Sequence, residues 1–394
     1  MNILWVTPFL PTSDATHAGG RAQARWIQAT AARHAVTLLA RIEPGERDAA
    51  EALRPQLAAL HLQPFRRPAG GPLQTVRIAL SYARLGRAAN RLVAAGGVDL
   101  LHVEYLEAGL AISAHRHVPR LIVAIDELTR PARHRLALAR GVGARAAAWL
   151  YWCGVARLQR RVCRRFDRIL TMSEHDRRTL LGRDPTLSIG VLPLPIGIDA
   201  ERLAAGPRRP AELLFVGAMH RDANVDAMTY FCEAIWPRVR AEAPGVRLTI
   251  AGAGPPPVVR RLASLPGIEV TGFVESLEPY YARATAFVAP LRIAGGIAGK
   301  TLDALAAGCP VITTTPGNDG LGATPGEHLL TADTPADFAD AVVRVLGDGE
   351  LRARLGRGGR EFARARFSLE VSAAVLEREH QALTAARGAA VTRR

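Results

Sequence analysis

The chain has 394 residues, enough for two domains that each bury a core. Hydrophobic residues make up 48% and aromatics 5%, a soluble α/β composition, and no apolar stretch approaches the ~20 residues that span a bilayer. A net charge of +15 points to acidic partners, which are phosphates, anionic lipid headgroups or nucleic acid. Cys153, Cys163, Cys232 and Cys309 form no CxxC pair and no metal-ligand spacing, which fits a reducing compartment. The N-terminus has no basic region and meets Pro8 too early for a signal peptide, so the expectation is a cytoplasmic protein, soluble or peripheral at the inner face of a membrane.

Short apolar runs alternate with longer amphipathic ones, the pattern of βαβ units in parallel sheets. Ile3–Thr7 is expected as a buried strand running into a loop from Pro8 to Gly20, and a helix follows over about Arg21–Arg33. Strands are expected at Ala35–Leu39, Leu100–Val103, Leu121–Ile125, Arg168–Met172 and Ile189–Leu192. Prolines and glycines then crowd between Pro193 and Pro210 and suggest an interdomain linker. The alternation restarts with strand Leu213–Val216, helix Asn224–Ala241 and strands Val246–Ala251, Gly267–Val270 and Ala286–Ala289. A glycine-rich loop, a short helix and strand Val311–Thr314 come next, and Glu350–Ala386 is expected as a charged helical stretch.

Lys300 is the one lysine in the chain, against fifty arginines. It stands in Gly295-Gly296-Ile297-Ala298-Gly299-Lys300-Thr301-Leu302-Asp303, where a glycine-rich loop opens a helix. Such N-termini bind phosphate through free N–H groups and the helix dipole. A compact ammonium suits a phosphate where a planar guanidinium does not. Asp303, three residues on, shares the helical face of Lys300, so a cation for phosphates and a carboxylate for hydroxyls stand together, as in a nucleotide-sugar or dinucleotide site. The competing reading is a chance survivor of arginine-rich composition on a solvated helix end.

Several further segments carry a resemblance in order: Leu213–Gly217, Leu248–Gly254, Ile268–Val274, Lys300–Thr313, and in the first half Gly19-Gly20, Asp99–His102, Thr171–Glu174 and Leu192–Asp199. Each is common by itself, but their order and spacing over nearly the whole chain resemble retaining glycosyltransferases of the GT-B fold, group 1 (family 4). The resemblance implies two Rossmann-like doubly wound domains facing across a cleft. It divides the chain into an acceptor-binding domain over 1–195, a linker over 196–210, a nucleotide-sugar-binding domain over 211–365 and a C-terminal helix over 366–394 crossing back to the first domain. It implies sugar transfer from a nucleoside diphosphate donor with retention, in cell-envelope glycan or glycolipid assembly, with the nucleotide sugar as co-substrate, no other cofactor and no metal.

Carried over residue by residue, Asp303 takes the place of the family's ribose-binding glutamate, Ile297, Ala298 and Gly299 present N–H groups to the diphosphate and sugar, and Gly295 and Gly296 belong to the same donor-binding loop. Gly217, His220, Arg221 and Val274 complete the donor set in this half. Gly19 and Gly20 offer a helix N-terminus to the donor phosphate, favoured because glycine lets backbone approach a ligand closely, with a flexible turn as the alternative. Lys300 is the first candidate for stabilising the leaving diphosphate, and Asp126 for acceptor or sugar contacts, with a strand-end carboxylate capping a loop as the alternative.

Three departures stand out. Gly295 occupies the position of a second, sugar-binding glutamate, Ala218 and Asn224 replace the family's Arg and Lys after the first strand of this domain, and Ile125 replaces a histidine. Gly295 and the absent Arg and Lys prompt a second hypothesis, a non-catalytic GT-B relative acting as an assembly partner; a natural-product glycosyltransferase is a further alternative. His102 is expected as a core histidine, and Gly317–Gly320 as a turn that could line the cleft.

Arginines recur among apolar residues at Arg77, Arg84, Arg87 and Arg91, and again from Arg157 to Arg165 after Trp149-Leu150-Tyr151-Trp152. Such helices suit an anionic membrane surface, with solvated helix faces as the plain alternative. No recognition motif supports a nucleic-acid partner. The expected partners are a nucleotide-sugar donor, a lipid-linked or glycan acceptor and an anionic membrane surface.

Overall fold

The computed structural model describes all residues except 14, 16–17, 67–73, 114–116, 126–127, 201–202, 204–208, 293–295 and 393–394. Two compact units emerge, one formed by Met1–Leu194 with Leu369–Arg394 and the other by Pro195–Ser368. Each is a parallel sheet covered by helices, as the alternation of short apolar and longer amphipathic segments leads one to expect.

The first unit contains β1 (Asn2–Thr7), β2 (Ala35–Ile42), β3 (Ala59–Pro64), β4 (Leu100–Glu104), β5 (Arg120–Ala124), β6 (Arg168–Thr171) and β7 (Ile189–Val191). They pair in the order β3-β2-β1-β4-β5-β6-β7, so the order reverses between β1 and β4. Strands buried on both faces are mainly apolar, and β4, with every residue buried, carries two exceptions, His102 and Glu104. The polar members of β4 are accommodated by pairing. His102 stacks on Trp5 at 3.6 Å between ring centroids and bonds to His380 at 2.9 Å and Glu104 at 3.0 Å. His102 is therefore a core histidine, held by a residue of the C-terminal helix Leu369–Thr392. That helix also packs on helix Ala18–Ala31, where Trp26 Nε1 donates to Ser372 Oγ at 2.6 Å.

The second unit contains β8 (Glu212–Val216), β9 (Arg247–Ala251), β10 (Ile268–Gly272), β11 (Ala286–Ala289), β12 (Val311–Thr313) and β13 (Leu330–Thr331). Their order is β10-β9-β8-β11-β12-β13, which reverses between β8 and β11. Ligands of open parallel sheets bind at the carboxyl ends of the strands, where the order reverses. In this unit that point lies between the loop after β8 and the glycine-rich loop after β11.

Two elements depart from expectation for local reasons. The helix expected over Asn224–Ala241 runs from Asp222 to Glu242 but contains a π-helical turn at Phe231–Ile235. Pro237 follows that turn; it has no N–H to donate, and its ring crowds the carbonyl of Glu233. The charged stretch expected as one helix over Glu350–Ala386 is two, Gly349–Phe367 and Leu369–Thr392, with Ser368 extended between them. Strand β3 escapes a periodicity reading because it is an edge strand with one buried residue, Leu60.

Candidate functional site

The donor-site expectations converge on the carboxyl end of the second sheet. Strand β8 is buried along its whole length, Glu-Leu-Leu-Phe-Val, and delivers Gly217 to the reversal point. Beyond the strand the chain stays against the segment after β9, with Gly217 N–H donating to Ala251 O at 3.0 Å and Met219 N–H to Ala253 O at 2.8 Å. The approach requires glycine at 252, where φ is +146° and a Cβ would lie 1.8 Å from the Gly217 carbonyl oxygen. His220 and Arg221 follow as exposed residues, and helix Asp222–Tyr230 begins with Asn224 buried near its start.

From the other side come the glycine-rich loop and helix Gly299–Ala306, whose first turn has no side-chain cap. The loop is held close to the segment after β12, since a Cβ on Gly320 would lie 2.2 Å from the Gly296 carbonyl oxygen. Gly317–Gly320, expected as a turn, belongs largely to the short helix Thr315–Asp319 and supports the loop from behind. The N-terminal donors of the lysine helix thus open toward the reversal point.

Lys300 crosses that point. Its Nζ donates to Asn224 Oδ1 and lies 4.5 Å from the centroid of the Phe215 ring. Asn224 in turn donates through Nδ2 to Ala218 O at 2.8 Å. One hydrogen-bonded path therefore links the lysine helix, the first turn of helix Asp222–Tyr230 and the loop after β8. The Lys300 side chain is half-buried, and loss of hydration pulls its pKa from 10.5 to about 7, with the nearby Arg221 cation adding to the fall. An anion arriving here would restore the charged ammonium.

Asp303, one turn further on, is buried and accepts the Gly197 N–H through Oδ1 at 2.7 Å. The carboxylate thus also fastens the first residues of its own unit. Ile297, Ala298 and Gly299 are half-buried along the loop, and Val274 is half-buried just past the end of β10. His220 packs beside Gly254, where a Cβ would lie 3.5 Å from its Nδ1. Gly19 and Gly20 are buried in the first turn of helix Ala18–Ala31, in the other unit. Asp126 and Gly295 lie outside the described residues.

Asn224 lies outside the donor set expected from the sequence. In the sequence it marks the loss of a cation; in the fold it accepts the chain's one lysine, 76 positions away. Phe215, an unremarkable strand residue in the sequence, forms the apolar floor under the ammonium. Among the described residues no group of three or more His, Cys, Asp and Glu is placed to hold a metal ion, and no helix is long and apolar enough to cross a membrane.

Residues 210–348 match the family described as "Glycosyl transferases group 1". A GDP-mannose-dependent alpha-(1-6)-phosphatidylinositol monomannoside mannosyltransferase of Mycobacterium tuberculosis is 30% identical over 217 residues, 46% of this chain and 54% of that protein. A glycogen synthase of the same organism is 32% identical over 194 residues, 45% of each chain. The chain thus spans about half the length of these curated relatives. Sucrose-phosphate synthase from Thermosynechococcus elongatus superposes with a TM-score of 0.72 at 20% identity, over 98% of this chain and 99% of that one. The Anabaena HepE protein in complex with UDP and glucose does so with a TM-score of 0.66 at 12% identity, over 97% and 99%. These likenesses give the fold as GT-B, and the match at residues 210–348 gives that stretch as a group 1 glycosyltransferase domain.

Proposed function

We propose that the protein transfers a sugar from a nucleoside diphosphate donor to a glycan or lipid-linked acceptor with retention of configuration, in cell-envelope assembly. The observation that carries the reading is Lys300 spanning the reversal point between β8 and β11, above an uncapped helix N-terminus. A diphosphate seated there meets the ammonium and the N–H groups of Ile297 to Lys300, and Asp303 stands one helical turn away for the ribose hydroxyls. In the reaction the bond from the anomeric carbon to the β-phosphate oxygen breaks, and a bond to the acceptor oxygen forms on the same face of the sugar. The acceptor proton passes to the leaving diphosphate. The Lys300 ammonium, charged once the diphosphate is seated, stabilises that leaving group, and such electrostatic stabilisation is where sites of this kind gain most of their rate. No metal enters this scheme.

The relatives support this reading in kind, since one is named for GDP-mannose and another was solved with UDP and glucose. The replacement of two expected cations by Ala218 and Asn224 favours one competing reading, a non-catalytic assembly partner. Calorimetric titration with UDP, GDP, ADP and dTDP separates the two. Micromolar binding of one of them, abolished in Lys300→Ala, together with donor turnover, supports the transferase. Binding without turnover of the matching nucleotide sugars supports the partner, and absence of binding to all four refutes the donor site. Product NMR reports the anomeric configuration, and inversion refutes retention.

A further inference from the structure

Positive charge is concentrated in two stretches of the first unit. Residues 65–98 contain six arginines and residues 128–166 contain ten, with no Asp or Glu in either, which accounts for the whole +15 excess of the chain. These stretches include helices Gln74–Ala94 and Val142–Cys163. Both helices pack on one short 3-10 turn, Ala108–Ala111. Asn90 Nδ2 donates to Ala111 O at 3.0 Å, and Arg165, just beyond the second helix, donates through Nη1 to Leu110 O at 2.6 Å. Leu85, Ala89 and Val93 from one helix and Val162 and Cys163 from the other enter the same buried cluster. The two helices therefore cover one face of the sheet and leave their outer faces to solvent.

Those outer faces are apolar as well as basic. Of nine large hydrophobic side chains exposed among the described residues, seven lie on these two helices. Val142 is 89% exposed, Leu150 63% and Trp149 51%, and the first three turns of the second helix have no buried residue. Arg145, Arg157 and Arg161 on that helix are exposed, as are Arg84, Arg87 and Arg91 on the other. Large apolar side chains exposed together on one helix, as Val142, Trp149 and Leu150 are, mark an interaction surface. A nucleic acid would satisfy the arginines but would leave Val142, Trp149 and Leu150 in water. The boundary between headgroups and acyl chains of an anionic bilayer satisfies both, because arginine stems lie along apolar surface while their heads reach lipid phosphates.

We propose that helices Gln74–Ala94 and Val142–Cys163 form a docking surface for anionic membrane, with Val142, Trp149 and Leu150 entering the headgroup–acyl boundary and the flanking arginines contacting lipid phosphates. The surface is built from the first unit alone and is independent of the donor-site reading.

The test is flotation of the full-length chain with vesicles of phosphatidylcholine alone and of phosphatidylcholine with one quarter phosphatidylglycerol. Wild type is compared with Trp149→Ser/Leu150→Ser and with Arg145→Gln/Arg157→Gln/Arg161→Gln, all exposed positions, with thermal melting as a control for folding. Binding is expected to the anionic vesicles only and to fall as salt rises, and the serine pair is expected to weaken it about tenfold through lost apolar burial. The glutamine triple should remove most of the anionic preference. Absence of binding to anionic vesicles, or binding that the serine pair leaves unchanged, overturns the proposal. Capture of duplex DNA with no vesicle binding overturns it in favour of a nucleic-acid surface. Nucleoside diphosphate titration of the same samples separates the two readings: lost vesicle binding with intact nucleotide binding refutes the membrane surface alone, and the reverse refutes the donor site alone.

Discussion

Lys300→Met should make the empty protein more stable at neutral pH while removing its affinity for nucleoside diphosphates. Burial over the Phe215 ring lowers the lysine pKa from 10.5 to about 7, so the charged form is disfavoured in the folded state relative to the unfolded chain. The unfolded chain therefore binds more protons between those two values, and wild-type stability should rise with pH across that window. The penalty is absent above the upper value and fully present below the lower one. At roughly 1.4 kcal/mol per pKa unit the full shift corresponds to about 5 kcal/mol, which partial exposure of the side chain reduces to roughly 2 kcal/mol. Methionine removes this penalty but leaves Asn224 Oδ1 without its lysine donor, a cost of about 1 kcal/mol. The expected net gain is about 1 kcal/mol at pH 7, a rise of about 2–4 °C in melting temperature for a unit of this size. Thermal melts of wild type and variant from neutral pH to above about pH 10 measure it directly. A variant less stable than wild type at neutral pH, or one that retains the wild-type rise in stability with pH, would refute the account of Lys300 as a desolvated cation held for an anionic ligand.

The same lowered pKa predicts that diphosphate binding takes up a proton above neutral pH, measured by calorimetry in buffers of different ionisation enthalpy; no proton uptake in that range would contradict it. Lys300→Arg should recover little of the affinity lost in Lys300→Ala, because the larger planar fork does not fit between Phe215 and Asn224, and full recovery would show that charge alone suffices. Asp303→Ala should weaken nucleoside binding and also lower stability by about 1–3 kcal/mol, since the Gly197 N–H loses its acceptor; denaturant melts of the variant test the second effect. Gly320→Ala should displace the loop at Gly296, costing about 1–3 kcal/mol and lowering diphosphate affinity with Lys300 intact. Burial holds His102 well below its ordinary pKa and His380 at about 4, so both are neutral in the fold and charge more readily when unfolded. Stability should therefore fall as pH drops from about 6.5 toward 4, and the fall should be shallower in His380→Phe.

The sequence by itself determined the local elements and the material of the candidate site. Buried parallel strands are mainly apolar on both faces, so β4, β8 and β11 are legible as runs, and chain that closely approaches other backbone carries glycine, as at Gly252 and Gly320. A lone lysine after such a loop, with Asp303 one turn on, is legible in the same way, because helix periodicity alone puts the two on one face.

Tertiary structure decided which groups meet. Asn224 accepts Lys300 only because β8 and β11 are neighbours where the strand order reverses, and strand order is set by long-range packing that no local pattern records. The role of His102 likewise waits on His380, 278 positions later, carried by a C-terminal helix that joins the first unit. In both cases a polar side chain must be satisfied or desolvated by atoms distant in sequence. The partner that settles its charge, and with it the chemistry available, exists only once the sheet has assembled.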